Sequence, residues 1–491
     1  MCARRRDAER IRRRFAVQTR LSRRSFLKGC GIAAGGVTLA CIGAELATPL
    51  LWQERLVFDE NTSLWALAKE PKNPPLMEDV EVDVAVIGGG YTGLSAAYHL
   101  LQRFPQMKIG VFEARGVGQG ASGRNGGMIL PQTANEYMQI ASDPRTHKAT
   151  YDATVQNFSE LARLVESQGI DCDLNWNGVL QVIAKEGQVE AYRNYQREAQ
   201  ALGIPVEFWD RARTRDEIGT ELYFGSLYDP NGGEVNPMKL VHALKRAAEA
   251  AGASIYEDSP VVEVEQGATL RLVVGAERRK VEARAVVLAT NGYTSKLGFF
   301  RNNVLAIHTP MAVTPVLPDS TFQQIGWRNR IPYSDTYNIL YHLSCTEDNR
   351  ILIGSGHVDY YFNNGIVYHG NTEEMRVHLL KELEKIYPGL SGIDFEYFWT
   401  GVLGFSLDFS QAVGVMGEDR NIYYGLAYAG HGVNLSTLFG RIIADLYAGE
   451  GDRWKDMPFL NHRFIPLPPE PLKWMAVQAN IAYYKYLDSQ M

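Results

Sequence analysis

The chain has 491 residues, of which 45% are hydrophobic and 22% charged. This ordinary globular usage excludes collagen, wholesale disorder and a polytopic membrane protein. At about 150 residues per domain the length suggests roughly three units. The net charge of −6 is unevenly spread: residues 1–28 hold eleven Arg or Lys against Asp7 and Glu9, which leaves −15 for the remainder. A body that acidic is poorly suited to phosphate contacts, so nucleic acid is not an expected partner.

Residues 22–28 read Ser-Arg-Arg-Ser-Phe-Leu-Lys, and the uncharged run Gly29–Ala44 follows. A charged region before a mildly apolar one is the layout of an export signal. Arg23–Arg24, with Phe26, Leu27 and Lys28, resembles the twin-arginine signal. That resemblance implies the twin-arginine export machinery as a partner, and a location in the periplasm or on the outer face of the cytoplasmic membrane. Sixteen uncharged residues are short of the ~20 that span a bilayer, but Leu46–Trp52 lengthen the apolar stretch. A cleaved signal and an uncleaved membrane anchor both remain open for residues 1–52. Residues 53–79 read as an N-terminal extension. Beyond the signal only Cys172 and Cys345 remain, so no disulfide framework is expected. The absence of a Cys-x-x-Cys pair or a His/Cys cluster leaves no metal site to expect.

Asp83–Ile87 is an apolar, β-branched run that reads as a buried parallel strand. Gly88-Gly89-Gly90-Tyr91-Thr92-Gly93 follows, then a helical stretch over Leu94–Leu101 and a second strand over Lys108–Phe112, ending at Glu113. Gly88 permits the tight turn, Gly90 a close backbone approach to pyrophosphate, and Gly93 close packing of helix on strand. The helix N-terminus offers free N–H groups to the phosphates. Glu113, twenty residues after Gly93, can accept from ribose hydroxyls. Strand, glycines, helix, strand and carboxylate together predict a dinucleotide site without distinguishing FAD from NAD.

The next segment, Gly118-Gln119-Gly120-Ala121-Ser122-Gly123-Arg124-Asn125-Gly126-Gly127, packs five glycines into ten residues. Such a loop brings backbone rather than side chains to a ligand. Here the sequence resembles the D-amino-acid-oxidase-like flavoproteins, most closely the γ-glutamylputrescine oxidoreductase branch. The resemblance runs over about residues 63–488. It includes Ile170–Asp173, Gly178–Leu180, Gly232–Pro237 before a helix over Met238–Ala251, Pro260–Val264, Val286–Gly292, Trp399–Gly401 and Gly425–Gly432. It implies an α/β fold: a discontinuous Rossmann-like FAD-binding domain with an interleaved α+β substrate domain built on an antiparallel sheet. The FAD domain would comprise 80–150, 230–300 and 400–455, the substrate domain 151–229 and 301–399, and residues 456–491 a tail helix. Alternation in Tyr337–Leu343 and Arg350–Gly354 suits the antiparallel sheet. In the tail, Leu472, Met475, Ala476, Ala479, Ala482, Tyr483 and Tyr486 share a helical face. Packing of that face on the body is expected, with docking on a membrane surface as the alternative.

The resemblance also implies FAD as cofactor and assigns its neighbours. These are Gly88, Gly90, Tyr91, Thr92 and Gly93; Glu113, Ala114 and Arg115; Ser122, Arg124, Asn125, Gly126 and Gly127; Val262 at the adenine; Thr290, Asn291 and Gly292; and Gly430, Gly432 and Val433. The helix after Gly432 would aim its N–H groups at the flavin pyrimidine edge. Related enzymes that attach FAD covalently use a cysteine before the C-terminal flavin motif. No cysteine follows Cys345, so FAD is expected to be noncovalent. The reaction implied is oxidation of a small-molecule amine by hydride transfer from the carbon alpha to nitrogen, giving an imine that hydrolyses. His431, Tyr341 and His342 are the candidate catalytic residues. Oxygen or a quinone-type respiratory carrier would take the electrons; the strand Arg350–His357 lacks the lysine of related oxidases, which favours the carrier. Two other readings stand beside this one: a membrane-linked L-amino-acid deaminase, and an electron-transfer flavoprotein without a substrate of its own. The related branch carries an arginine in a Tyr-Tyr-Arg-Leu segment. Counting back from Arg350, Ser344 occupies that place, and serine cannot hold a carboxylate bidentately.

Overall fold

The computed structural model describes residues 63–67, 70–133 and 143–490; the export-signal motif lies outside them. Val80–Ile87 forms the first strand and Tyr91–Arg103 the first long helix. The strand's last four residues are fully buried, each large aliphatic side chain contributing about 1.5–3 kcal/mol. Burial on both faces is why the run reads as continuous rather than alternating. Parallel neighbours follow on either side. Ile109–Phe112 and then Ser254–Tyr256 lie on one flank, Arg279–Leu288 and then Ile422–Leu426 on the other. Ala412–Met416 closes the second edge antiparallel. A short antiparallel meander, Val261–Glu265 and Leu270–Val274, attaches to Arg279–Leu288. The eight strands come from three separated stretches of chain, the discontinuity expected of the FAD domain.

Helices Tyr91–Arg103, Pro237–Ala250 and Gly432–Tyr447 pack together against one face of this sheet. Pro237 stands in the first helical turn, where its missing N–H costs nothing. The side chain of Asn236 caps Lys239 N at 3.2 Å.

A second, nine-stranded sheet carries the intervening segments. Leu305–Val313 pairs antiparallel with Tyr397–Phe405 and Ile351–Ser355, and the latter with Tyr341–Cys345. One pairing departs from the expected antiparallel pattern: Tyr333–Asp335 lies parallel to Val179–Val182. Its core gathers Trp327, Tyr333 and Tyr387 under helix Thr372–Ile386. Two expected boundaries fall inside elements. Helix Pro144–Ser167 runs through 150 and packs on Gly432–Tyr447. Strand Tyr397–Phe405 runs through 400 and belongs to the second sheet.

The tail helix Leu472–Ser489 docks on the second sheet with the face opposite to that expected. Lys473, Val477 and Ile481 face the body, against Leu305, Ile307 and Tyr360. Met475, Tyr483 and Tyr486 are exposed. Apolar residues occupy both faces, so periodicity could not select one. The selection comes from polar anchors. Lys473 Nζ donates to Arg301 O at 3.0 Å, and the Asp488 carboxylate accepts from the backbone of Asn338 and Ile339, both at 2.9 Å.

Candidate active site

A cavity lies along the C-terminal ends of the central strands, lined there by Ile87 and Phe112, where ligands bind in such sheets. Two helices point their N-termini into it. Gly90 and His431, the residues at their N-caps, supply no side-chain cap. The helices beginning at Pro144, Arg211, Pro237 and Thr372 are each capped by Asp or Asn, whereas those beginning at Val189, Asp319 and Leu472 are uncapped but lie away from the cavity. An uncapped N-terminus leaves N–H donors and partial positive charge free for an anionic or electron-rich ligand. The backbone is shaped for close approach. Gly88 has φ +108°, and a Cβ there would stand 2.7 Å from Ala289 O. A Cβ at Gly90 would stand 2.7 Å from Ser122 Oγ, which accepts from Tyr91 N at 3.1 Å.

At the nucleoside end, Glu113 Oε2 accepts from Gly89 N (2.8 Å) and Oε1 from Arg115 N (3.1 Å). Burial raises this carboxyl's pKa, and those two N–H groups pull it back. Each oxygen keeps a lone pair for a ribose hydroxyl. At the other end Ala427 and Ala429 hold left-handed backbone, φ 64° and 49°. This strain is held in place by Asn291 Oδ1, which accepts from Ala427 N at 3.0 Å, and by Ala429 N donating to Gly404 O at 3.1 Å. Thr92 Oγ1 and Tyr428 OH meet at 2.7 Å and tie the first turn of helix Tyr91–Arg103 to the Ala427–Ala429 segment.

The cavity wall contains fourteen of the residues expected to bind the cofactor: Gly88, Gly90, Tyr91, Thr92, Glu113, Ala114, Arg115, Ser122, Asn125, Thr290, Asn291, Gly430, Gly432 and Val433. The other six lie off it. Val262 is 40% exposed, and its neighbour Val261 forms the wall, because successive strand residues face opposite ways. Gly93 packs on Gly88 O and Gly292 on Val402, both as contacts that admit no Cβ. Gly127 sits against Val235 O at φ +78°. Arg124 braces the loop through Gln119 O (2.8 Å) and Thr400 O (2.9 Å). Gly126 lies under His342.

The three candidate catalytic residues separate. His342 packs on Gly126 and Gly354, its ring 3.1 Å from a Cβ built at Gly126, and burial lowers its pKa to about 4, so it is neutral. Tyr341, one residue earlier on the same strand, faces the other way. Its hydroxyl meets His378 Nε2 at 2.9 Å on helix Thr372–Ile386, and it is not among the residues lining the cavity. His431 turns back on its own loop, Nδ1 to Ala429 O at 3.3 Å, and lies off the cavity wall. Burial holds it neutral as well, at about 4.

Sequence reading missed Tyr293, Lys296, Tyr428 and Leu403 on the wall. Lys296 is the instructive case. The strand Arg350–His357 carries no lysine, and Lys296 lines the cavity from the 3₁₀ turn Asn291–Leu297, its Nζ donating to Asn363 O at 3.3 Å. Cys172 and Cys345 are unbridged and off the wall.

The residues present fit FAD: a glycine cradle, a carboxylate at the ribose end and two open helix N-termini facing one cavity. Comparison with known proteins agrees. The FAD dependent oxidoreductase (DAO) family model matches residues 83–446. The γ-glutamylputrescine oxidoreductase of Escherichia coli is 30% identical over 446 residues, covering 87% of this chain and 99% of that protein. The probable oxidoreductase OrdL of Haemophilus influenzae is 27% identical, covering 84% and 94%. Among solved structures, glycine oxidase from Geobacillus kaustophilus superposes with a TM-score of 0.66 at 21% identity, covering 78% of this chain and 99% of that one. The chain belongs to the DAO family of FAD-dependent oxidoreductases.

Proposed function

We propose that the protein oxidises a small amine at the carbon alpha to nitrogen, yielding an imine that hydrolyses to a carbonyl compound. FAD, when bound, supplies the hydride acceptor. The observation that carries this reading is the seating of neutral His342, with Met311 beside it, directly over Gly126 of the flavin loop. The second sheet thereby places two uncharged side chains over Gly126. An amine entering neutral needs no strong base there. The work of these side chains is to orient the C–H bond and exclude water. The N–H groups at Gly432 and Val433 place partial positive charge at the cavity end, where it stabilises developing negative charge.

The substrate class follows from Ser344. Its hydroxyl is committed to Gly126 O at 2.9 Å and it is 2% exposed. Nearby cations are committed too: Arg350 to Asp348 at 2.9 Å and to Glu396, and Lys239 to Asp173. We read the substrate as an amine without a distal carboxylate, a diamine, polyamine or N-methylated amine. The Escherichia coli relative, by its name, acts on γ-glutamylputrescine. Turnover with product identification over these amines, γ-glutamylputrescine and α-amino acids tests this. Faster turnover of the carboxylate-free amines is expected. Activity on α-amino acids alone would replace this reading with the deaminase. Oxygen consumption set against reduction of a soluble quinone identifies the acceptor.

Export by the twin-arginine route belongs to the same proposal and rests on Arg23–Arg24 before the uncharged run Gly29–Ala44. Among the described residues no helix is long and apolar enough to cross a membrane. Changing Arg23 and Arg24 together to Lys is expected to retain the protein in the cytoplasm, and unchanged export would defeat the assignment.

A further inference from the structure

The flavin loop is held from outside itself. Six successive carbonyls, Ala121 to Gly126, each accept a side-chain hydrogen bond. Asn125 Nδ2 serves Ala121 O (3.1 Å) and Ser122 O (2.9 Å). The next four have donors from elsewhere in the chain: Ser63 Oγ to Gly123 O (2.7 Å), Trp399 Nε1 to Arg124 O (2.9 Å), Trp65 Nε1 to Asn125 O (2.8 Å) and Ser344 Oγ to Gly126 O (2.9 Å).

Two of those four outside donors come from one short turn, Ser63–Leu67, which lies sixty residues upstream and adds no strand to either sheet. Ser63 is 2% and Trp65 7% exposed. Apolar packing alone would be met by any large side chain at 65, and by none at 63. Donors matched one-to-one with carbonyls do something more specific: they fix peptide planes. The peptide unit is planar, with its C=O and the following N–H pointing opposite ways. Trp65 on Asn125 O therefore sets the direction of Gly126 N–H, and Ser63 on Gly123 O that of Arg124 N–H. Both lie in the segment that holds Asn125 on the cavity wall and Gly126 under His342. Within the loop, Asn125 and the Arg124 N to Ala121 O bond (3.3 Å) hold part of this backbone; a glycine-rich loop has little side-chain bulk to hold the rest, and the outside donors add that constraint.

We propose that the Ser63–Leu67 turn is a positioning element of the flavin site: the Trp65 indole N–H and the Ser63 hydroxyl lock the loop's peptide planes and so set the affinity and reduction potential of the bound flavin. This rests on FAD occupying the cavity. The turn touches no reacting atom in this account, so its effect is on the cofactor and is read without substrate.

The test uses the full chain, stripped of FAD and reconstituted. Trp65→Phe keeps an aromatic ring and removes the N–H; Ser63→Ala removes the hydroxyl and Ser63→Thr restores it. Each lost bond is expected to raise the FAD dissociation constant about fivefold and both together about twenty-fivefold. A displaced flavin potential and broadened visible bands should accompany the loss, with Ser63→Thr close to wild type. Variants that only melt earlier, with wild-type FAD affinity, spectrum and potential, would overturn the proposal and reduce the turn to packing. If Trp65→Phe fails to fold, Ser63→Ala against Ser63→Thr decides alone. Wild-type apoprotein that takes up no FAD would overturn this proposal together with the cofactor assignment, whereas loss of amine activity at unchanged FAD binding would strike only the proposed function.

Discussion

Gly440→Ala tests whether the two helices that face the cavity act as one clamp. Gly440 lies where Gly432–Tyr447 crosses Tyr91–Arg103. A Cβ there would stand 2.5 Å from Ser95 Cβ and Oγ and 2.6 Å from Ala96 N. Ordinary contact begins near 3.4 Å, so the backbones must part by roughly 0.8 Å in a close-packed interface. Three effects compete. Alanine's helix propensity favours the variant by about 1 kcal/mol. Overpacking costs about 1–3 kcal/mol. The Ser95 Oγ to Thr437 O bond, 2.7 Å at the same contact, is worth about 1 kcal/mol more. The net expectation is a loss of about 1–3 kcal/mol. Both helix N-termini would also move off a shared ligand. Each helix end contributes about 0.3–2 kcal/mol according to burial, so losing one end's share should weaken FAD binding roughly two- to thirtyfold. The assays are thermal melting of the apoprotein and fluorescence titration with FAD. Gly187→Ala is the control, since a Cβ there meets nothing within 4 Å. Gly440→Ala melting and binding FAD like that control would refute the clamp.

Three further outcomes are expected. Lys245 and Glu257 form a buried pair at 3.1 Å, side chains 4% and 3% exposed, and Glu257 also accepts from Val117 N at 2.9 Å; Lys245→Ala should cost about 3–5 kcal/mol in melts by stranding the carboxylate, and Lys245→Met with Glu257→Gln clearly less. Burial pushes Glu234 from 4.5 to about 8; a folded pKa above the unfolded one gives stability that is complete below pH 4.5 and lost as pH rises through 8. In urea melts wild type should therefore lose up to about 1.4 kcal/mol per pH unit across that window relative to Glu234→Gln. Glu113→Gln replaces one of two acceptors with a donor facing an N–H, and FAD titration should show at least about tenfold weaker binding.

The nucleotide-binding half was legible because its signals are local. A strand buried on both faces, glycines at fixed offsets and a carboxylate at the strand end need no distant partner to be recognised. Whatever depends on which way a side chain points, or on contacts far along the chain, is weakly written. Tyr341 and His342 are equally plausible as adjacent letters, and only the sheet's facing sends Tyr341 to His378 and His342 to Gly126. Val261 and Val262 differ in the same way. The tail helix has apolar residues on both sides, and the Lys473 and Asp488 anchors decide its docking. Ser63 and Trp65 carry no motif; their meaning appears only when they meet carbonyls sixty residues away.

The proposed reaction is hydride transfer from a neutral amine to FAD held in the cavity. Its most direct test is anaerobic titration of the purified holoprotein with diamines, polyamines and N-methylated amines while the visible flavin band is followed. Stoichiometric bleaching by at least one such amine is expected, with an aldehyde formed in equal amount and a rate that rises with the unprotonated fraction of the amine. A flavin that stays oxidised with every amine, or that bleaches only with α-amino acids, would contradict it.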